Sequence, residues 1–137
     1  RQIVTLLITA KLAESKPNEL ISTSIVRARL CELAGEAAGY RGDLSELFLL
    51  GLFSLMDAIL DTEMEQIVTQ LPISDELKLA LVKGEGELAR YLEVVSGFER
   101  GDWDMSPELK SLGESMNLTI EKYTEAIGWA DSLTSIL

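Results

Sequence analysis

Phe48-Leu49-Leu50-Gly51-Leu52-Phe53-Ser54-Leu55-Met56-Asp57-Ala58-Ile59-Leu60 lies within the longest apolar run of the chain, Leu47 to Leu60. Gly51, Ser54 and Asp57 interrupt it, and fourteen residues with a carboxylate among them are too few to span a bilayer. The run has no period of two, so it predicts a helix that is apolar nearly all round, with Asp43 as its N-cap. Leu47, Leu50, Phe53, Leu55 and Ile59 belong to this central helix, and the rest of the chain is expected to cover it.

Outward from that run, helical spacing recurs on both sides. Toward the N-terminus, Val26, Leu30, Leu33 and Ala37 share a face of a long helix opened by Pro17-Asn18 and closed at Gly39. Before it, Ile3, Leu6, Leu7 and Ala10 fall at i, i+3, i+4 and i+7, although the Ile, Val and Thr around them also suit a strand. Toward the C-terminus, Thr62 and Glu65 have capping-box spacing ahead of the stripe Met64, Ile67, Val68 and Leu71. Pro72 stops that helix, and Ser74 caps one holding Leu77, Ala80 and Leu81. Gly84-Glu85-Gly86 turns the chain into a helix striped by Leu88, Tyr91, Leu92, Val95 and Phe98, which Gly101 ends. Ser106-Pro107 is an N-cap followed by N1, with Leu109, Leu112 and Met116 behind it. Asn117 is expected to open the last helix, striped by Ile120, Tyr123, Ala126, Ile127, Trp129, Ala130 and Leu133. The expectation is an all-α, compact multi-helix domain of about eight short to medium helices around a hydrophobic central helix, one domain over residues 1–137.

Composition removes whole classes of chemistry. The 137 residues hold no histidine and one cysteine, Cys31, so histidine general-base catalysis, His-ligated metal sites and internal disulfides are excluded. Twelve basic against twenty-three acidic side chains give a net charge of −11, which argues against nucleic acid or an anionic membrane surface as a partner. The single cysteine and the lack of a leader-like start favour a cytoplasmic protein. The apolar pattern is already running by Ile3 of a chain that begins at Arg1, so a fragment of a longer protein is expected.

The remaining chemical motifs fail one at a time. Asp102, Asp104 and Ser106 imitate the first ligands of a calcium loop. Pro107 then stands where the turn glycine belongs, and Gly113 where the bidentate glutamate belongs. Gly84-Glu85-Gly86 lacks the strand and third glycine of a phosphate loop, and its carboxylates repel phosphate. Glu32 with Glu36, and Glu121 with Glu125, lie one turn apart and could share a proton or hold a cation. Arg29 and Lys122, each three residues before the second member of an ordinary surface pair, account for them more simply. Cys31 sits mid-helix beside Glu32, a setting for a buried thiol and not a reactive one. Asn117-Leu118-Thr119 fits a glycosylation acceptor that a cytoplasmic chain never uses. Trp103, with Phe98 and Arg100 on the preceding helix end, is the candidate partner contact.

Several strings, taken in order, resemble the HDOD family, the bacterial HD-related output domain. They are Lys16-Pro17-Asn18-Glu19-Leu20, Arg27-Ala28-Arg29-Leu30-Cys31-Glu32-Leu33-Ala34, Phe48 to Leu60 as quoted, Leu71-Pro72-Ile73-Ser74, and Phe98-Glu99-Arg100-Gly101-Asp102-Trp103. The similarity runs from about Arg1 to Trp129. It is closest to the C-terminal part of the form fused to an EAL domain in YuxH-type bacterial signalling proteins. The resemblance implies a non-catalytic regulatory and protein-interaction domain with no cofactor and no metal. HDOD domains are related to metal-dependent HD phosphohydrolases but lack their metal-binding His and Asp set, so no family catalytic residue maps onto this chain. The partners implied are an EAL domain of the cyclic-di-GMP phosphodiesterase type in the same parent chain, another signalling protein, or a second copy as a homodimer. Two rivals stand beside this reading: a degenerate phosphohydrolase working through carboxylates and a divalent cation, and a small-ligand sensor.

Overall fold

The computed structural model describes residues 18–101 and 106–134, which form α-helices joined by turns and short irregular links. Among the described residues eight helices run in order: α1 (Asn18–Ala38), α2 (Leu44–Phe53), α3 (Met56–Leu60), α4 (Met64–Val68), α5 (Asp75–Lys83), α6 (Glu87–Arg100), α7 (Pro107–Met116) and α8 (Ile120–Thr134). The all-α expectation holds. The stripe Ile3 to Ala10 lies outside the described residues.

The apolar run is buried as its composition demands, but it is two helices. Leu47, Leu50, Leu52 and Phe53 of α2 and Ile59 of α3 are inaccessible to solvent, each such side chain contributing about 1.5–3 kcal/mol of transfer free energy. Between them, the Ser54 hydroxyl donates to the Gly51 carbonyl oxygen at 2.7 Å. The Ser54 N–H also turns to that oxygen, at 3.4 Å. A serine bonding back to its own helix competes with helix continuation, and here it ends α2.

The centre is shared between α2 and α1, the long helix on which α2, α6, α7 and α8 all pack. The face foreseen for α1 is rotated in the structure. Ile21, Ile25, Ala28, Cys31 and Ala34 are buried together with Val26 and Leu30, whereas Ala37 is exposed. Neighbours on several sides, not one stripe, set what α1 buries. Close approach at the α1–α2 crossing depends on Gly51: a Cβ there would stand 2.6 Å from the Ala28 Cα.

Capping follows the expected side chains at most ends. Asp43 accepts from the Ser45 N–H at 3.0 Å, Ser74 from that of Leu77 at 3.2 Å, and Ser106 from that of Leu109 at 3.3 Å. Gly39, at φ +76°, completes a paired C-cap in which its own N–H reaches the Glu36 carbonyl and the Tyr40 N–H that of Gly35. Two caps differ from expectation. The Thr62 hydroxyl donates to the Leu60 carbonyl and makes no capping box, and Glu63 stands at the N-cap of α4 without a side-chain hydrogen bond. Asn117 closes α7 in the left-handed conformation at φ 49°, and Thr119 takes over as the cap of α8, accepting from the Lys122 N–H at 3.2 Å. A short polar side chain tolerates that conformation, so asparagine serves an end as well as a start.

Candidate interaction surface

Three polar and aromatic groupings lie where helices meet. The first joins α1, α6 and the end of α2. Arg27 donates from Nε to Glu99 Oε1 at 2.9 Å and from Nη1 to Ser54 Oγ at 3.2 Å, with the pair only 17% and 12% exposed. One turn along α1, burial pushes the Cys31 thiol up to about 12, the Glu99 carboxylate adding to the shift and Arg27 opposing it. Such a thiol stays protonated at neutral pH and is no nucleophile. Cys31 is therefore packing, as its position in α1 suggested.

The second grouping ties α8 to α1. Arg29 pairs with Glu32, reaches Glu125 Oε1 at 3.8 Å and lies over the Trp129 ring at 5.7 Å. Trp129 in turn meets the Phe48 ring edge-on, with centroids 5.5 Å apart. The predicted Arg29–Glu32 pair is present. Lys122 does not join Glu125; its ammonium donates to the Met116 carbonyl at 3.1 Å. A free backbone acceptor at the end of α7 attracts it inward. The carboxylate pairs foreseen by spacing are thus separated in role. Glu32 is held by Arg29, Glu36 is exposed, Glu125 turns to Arg29 and Glu121 faces solvent. Among the described residues, no group of three or more His, Cys, Asp or Glu side chains is gathered to hold a metal.

The third is a cleft of about 420 Å³ between α6 and α7, lined by Val94, Phe98, Leu109, Gly113 and Leu118 with Lys110 and Glu114 at its rim. Phe98 is half-buried there and meets the Tyr123 ring edge-on at 6.3 Å. Arg100 lines a separate, smaller cleft of about 290 Å³ with Ala80, Leu92 and Ser96. Of the three candidate contacts, then, Phe98 and Arg100 serve different clefts, and Trp103, with Asp102 and Asp104, lies outside the described residues. Sequence reasoning missed the Arg27–Glu99 pair, whose members are 72 residues apart, and no local signal announces it. It also missed which apolar residues stay in water. Ile120 of α8 is 79% exposed and Ile127 is 37% exposed, although both fell in the expected core stripe.

The described residues thus form a helical scaffold with one largely buried ion pair, Arg27–Glu99, and a few exposed apolar side chains. The chain is similar to a cyclic di-GMP phosphodiesterase. It is 33% identical over 138 aligned residues to cyclic di-GMP phosphodiesterase CdgJ of Vibrio cholerae serotype O1, an alignment that covers all of this chain and 32% of CdgJ. It is also 35% identical over 119 residues to the uncharacterized protein YuxH of Bacillus subtilis, covering 87% of this chain and 29% of YuxH. The chain thus spans about a third of the length of the curated relatives it matches. No protein-family model matches it, and no solved structure matches it. These likenesses point to a domain associated with cyclic di-GMP signalling. No helix among the described residues is long and apolar enough to cross a membrane.

Proposed function

We propose that this chain is the C-terminal part of an HDOD-type module that adjusts the activity of an attached EAL phosphodiesterase without performing chemistry itself, inside the bacterial cytoplasm. One observation carries the reading: the whole chain aligns with only a third of a named cyclic di-GMP phosphodiesterase, while its own sequence holds no histidine. The rest of such a protein is then free to hold the catalytic centre, and this portion to influence it through docking. Helix-on-helix contact with a few large apolar anchors supplies the energy.

The test is cyclic di-GMP hydrolysis by the full-length protein, by a version lacking this region, and by this chain alone. Changed turnover on deletion, with none from the chain alone, is the expected result. Turnover by the chain alone would replace the regulatory reading with the carboxylate phosphohydrolase, and Glu32→Gln and Glu36→Gln would then abolish it. Unchanged turnover on deletion would move the partner off the same polypeptide.

A further inference from the structure

A further cleft, of about 600 Å³, opens where α6 and α7 begin. Glu87, Arg90 and Glu93 of α6 and Glu108 of α7 line it, and Leu109 and Leu112 give it an apolar wall. Glu87 and Glu108 stand in the first turns of their helices, where the free backbone N–H groups favour an ionised carboxylate. Among the described residues, none of the four charged side chains takes part in a hydrogen bond or an ion pair. Exposed carboxylates alone would mark no site. Tyr91 sets this cleft apart. It is only 5% exposed, it lines the cleft, and its ring meets that of Tyr40 edge-on with centroids 5.4 Å apart. Its hydroxyl makes no hydrogen bond to any described residue, yet it is not sealed from solvent, so it opens into the cleft. A polar group so deeply set and without a partner is a place for a ligand atom.

The field around that hydroxyl is negative. Burial and then the Glu87 carboxylate hold the Tyr91 phenol above its ordinary 10.0, and burial followed by Glu46, Glu87 and Glu76 does the same for Tyr40. The Tyr91 phenol is therefore neutral near pH 7 and able to accept from a cation. Three carboxylates against one guanidinium leave the cleft an excess of two negative charges, which repels an anion and draws in a cation. A single metal ion is not served, because among the described residues no three acidic side chains are gathered to hold one. The charge is instead spread along an apolar wall, which suits separate ammonium groups joined by methylenes. We infer that the cleft between the starts of α6 and α7 binds a linear aliphatic polyamine, its ammonium groups donating to Glu93, Glu108 and the Tyr91 hydroxyl and its methylenes lying along Leu109 and Leu112. The lining residues all belong to this chain, so the inference stands or falls apart from the regulatory reading.

The experiment is isothermal titration calorimetry of the full-length protein with spermidine, at about 150 mM salt, where loose surface attraction is screened. The expected result is a saturable site, weakened about tenfold by Tyr91→Phe and by at least as much in Glu93→Gln/Glu108→Gln. Glu63→Gln/Glu65→Gln, at exposed carboxylates outside the cleft, should leave it unchanged. Absence of saturable binding would overturn the inference. So would equal weakening by the control pair, which would reduce the effect to a general attraction to an acidic surface. Binding that Tyr91→Phe leaves intact would overturn it as well, since the hydroxyl is what distinguishes this cleft. Displacement of spermidine by equimolar magnesium would overturn the aliphatic character of the ligand. None of these outcomes bears on turnover, which tests the regulatory reading separately.

Discussion

The α1–α2 crossing and the outer face of α8 are both apolar, yet they meet opposite fates. At the crossing, two helices touch backbone to backbone: Gly51 fits against Ala28, and Leu47, Leu50 and Phe53 are sealed from solvent. On α8, Ile120 is 79% exposed and Ile127 37% exposed, and Gly128 has open space over it. A glycine at the first site is a steric necessity, whereas a glycine at the second only loosens a helix. Apolar residues that specify the fold and those available to a partner are thus separated by what stands across from them, not by type.

Substitutions at the crossing should show the largest effects. Gly51→Ala forces a methyl group against the α1 backbone and should cost about 3 kcal/mol in chemical denaturation, or prevent folding. Next comes the polar junction beside it. Arg27→Met leaves Glu99 without its cation in a largely dry site and should cost about 2–3 kcal/mol. The double variant Arg27→Met/Glu99→Leu should be more stable than Arg27→Met alone, because no unpaired charge remains. A result in which the double variant is the weaker would mean that the pair contributes more than it costs to desolvate.

The thiol in that region sharpens the contrast through pH. The folded Cys31 thiol is held at about 12 against its ordinary value of 9.0, so folding keeps a proton that the unfolded chain releases. Its contribution is intact below pH 9 and is lost as pH rises from 9 toward 12, at up to about 1.4 kcal/mol per pH unit. Tyr40 and Tyr91, also raised from their ordinary value of 10.0 by burial, act in the same direction above pH 10. Denaturation at pH 7 and at pH 10.5 should therefore show Cys31→Ala losing less stability than the parent over that interval. The smallest effect belongs to α8. Gly128→Ala has room for its methyl group and should raise stability by about 0.5–1 kcal/mol through helix propensity alone. A loss there would show that something already covers the outer face.

Local chemistry made much of the scaffold legible. Asp43, Ser74 and Ser106-Pro107 start helices because their side chains satisfy orphan backbone donors. Gly39, Gly84 and Gly101 stop them. What stayed hidden depended on residues distant in sequence or on a choice between two local bonds. Ser54 ends α2 in the middle of the apolar run by bonding back to Gly51, and Arg27 braces it from another helix. Asn117 could begin a helix or end one, and its neighbour Thr119 decided. The exposed side of α8 was hidden for a different reason: its isoleucines keep the spacing of a core stripe. Periodicity records which residues share a side of a helix and cannot tell which side the rest of the chain leaves open.

The proposed role works through a surface and not through chemistry of this region's own. Its most direct test is cyclic di-GMP hydrolysis by the full-length protein, beside a version lacking this region and this chain alone. With folding verified by circular dichroism, deletion should change turnover by about fivefold or more, and the chain alone should show none. Turnover unaffected by the deletion, or hydrolysis by the chain alone, would contradict the proposed role.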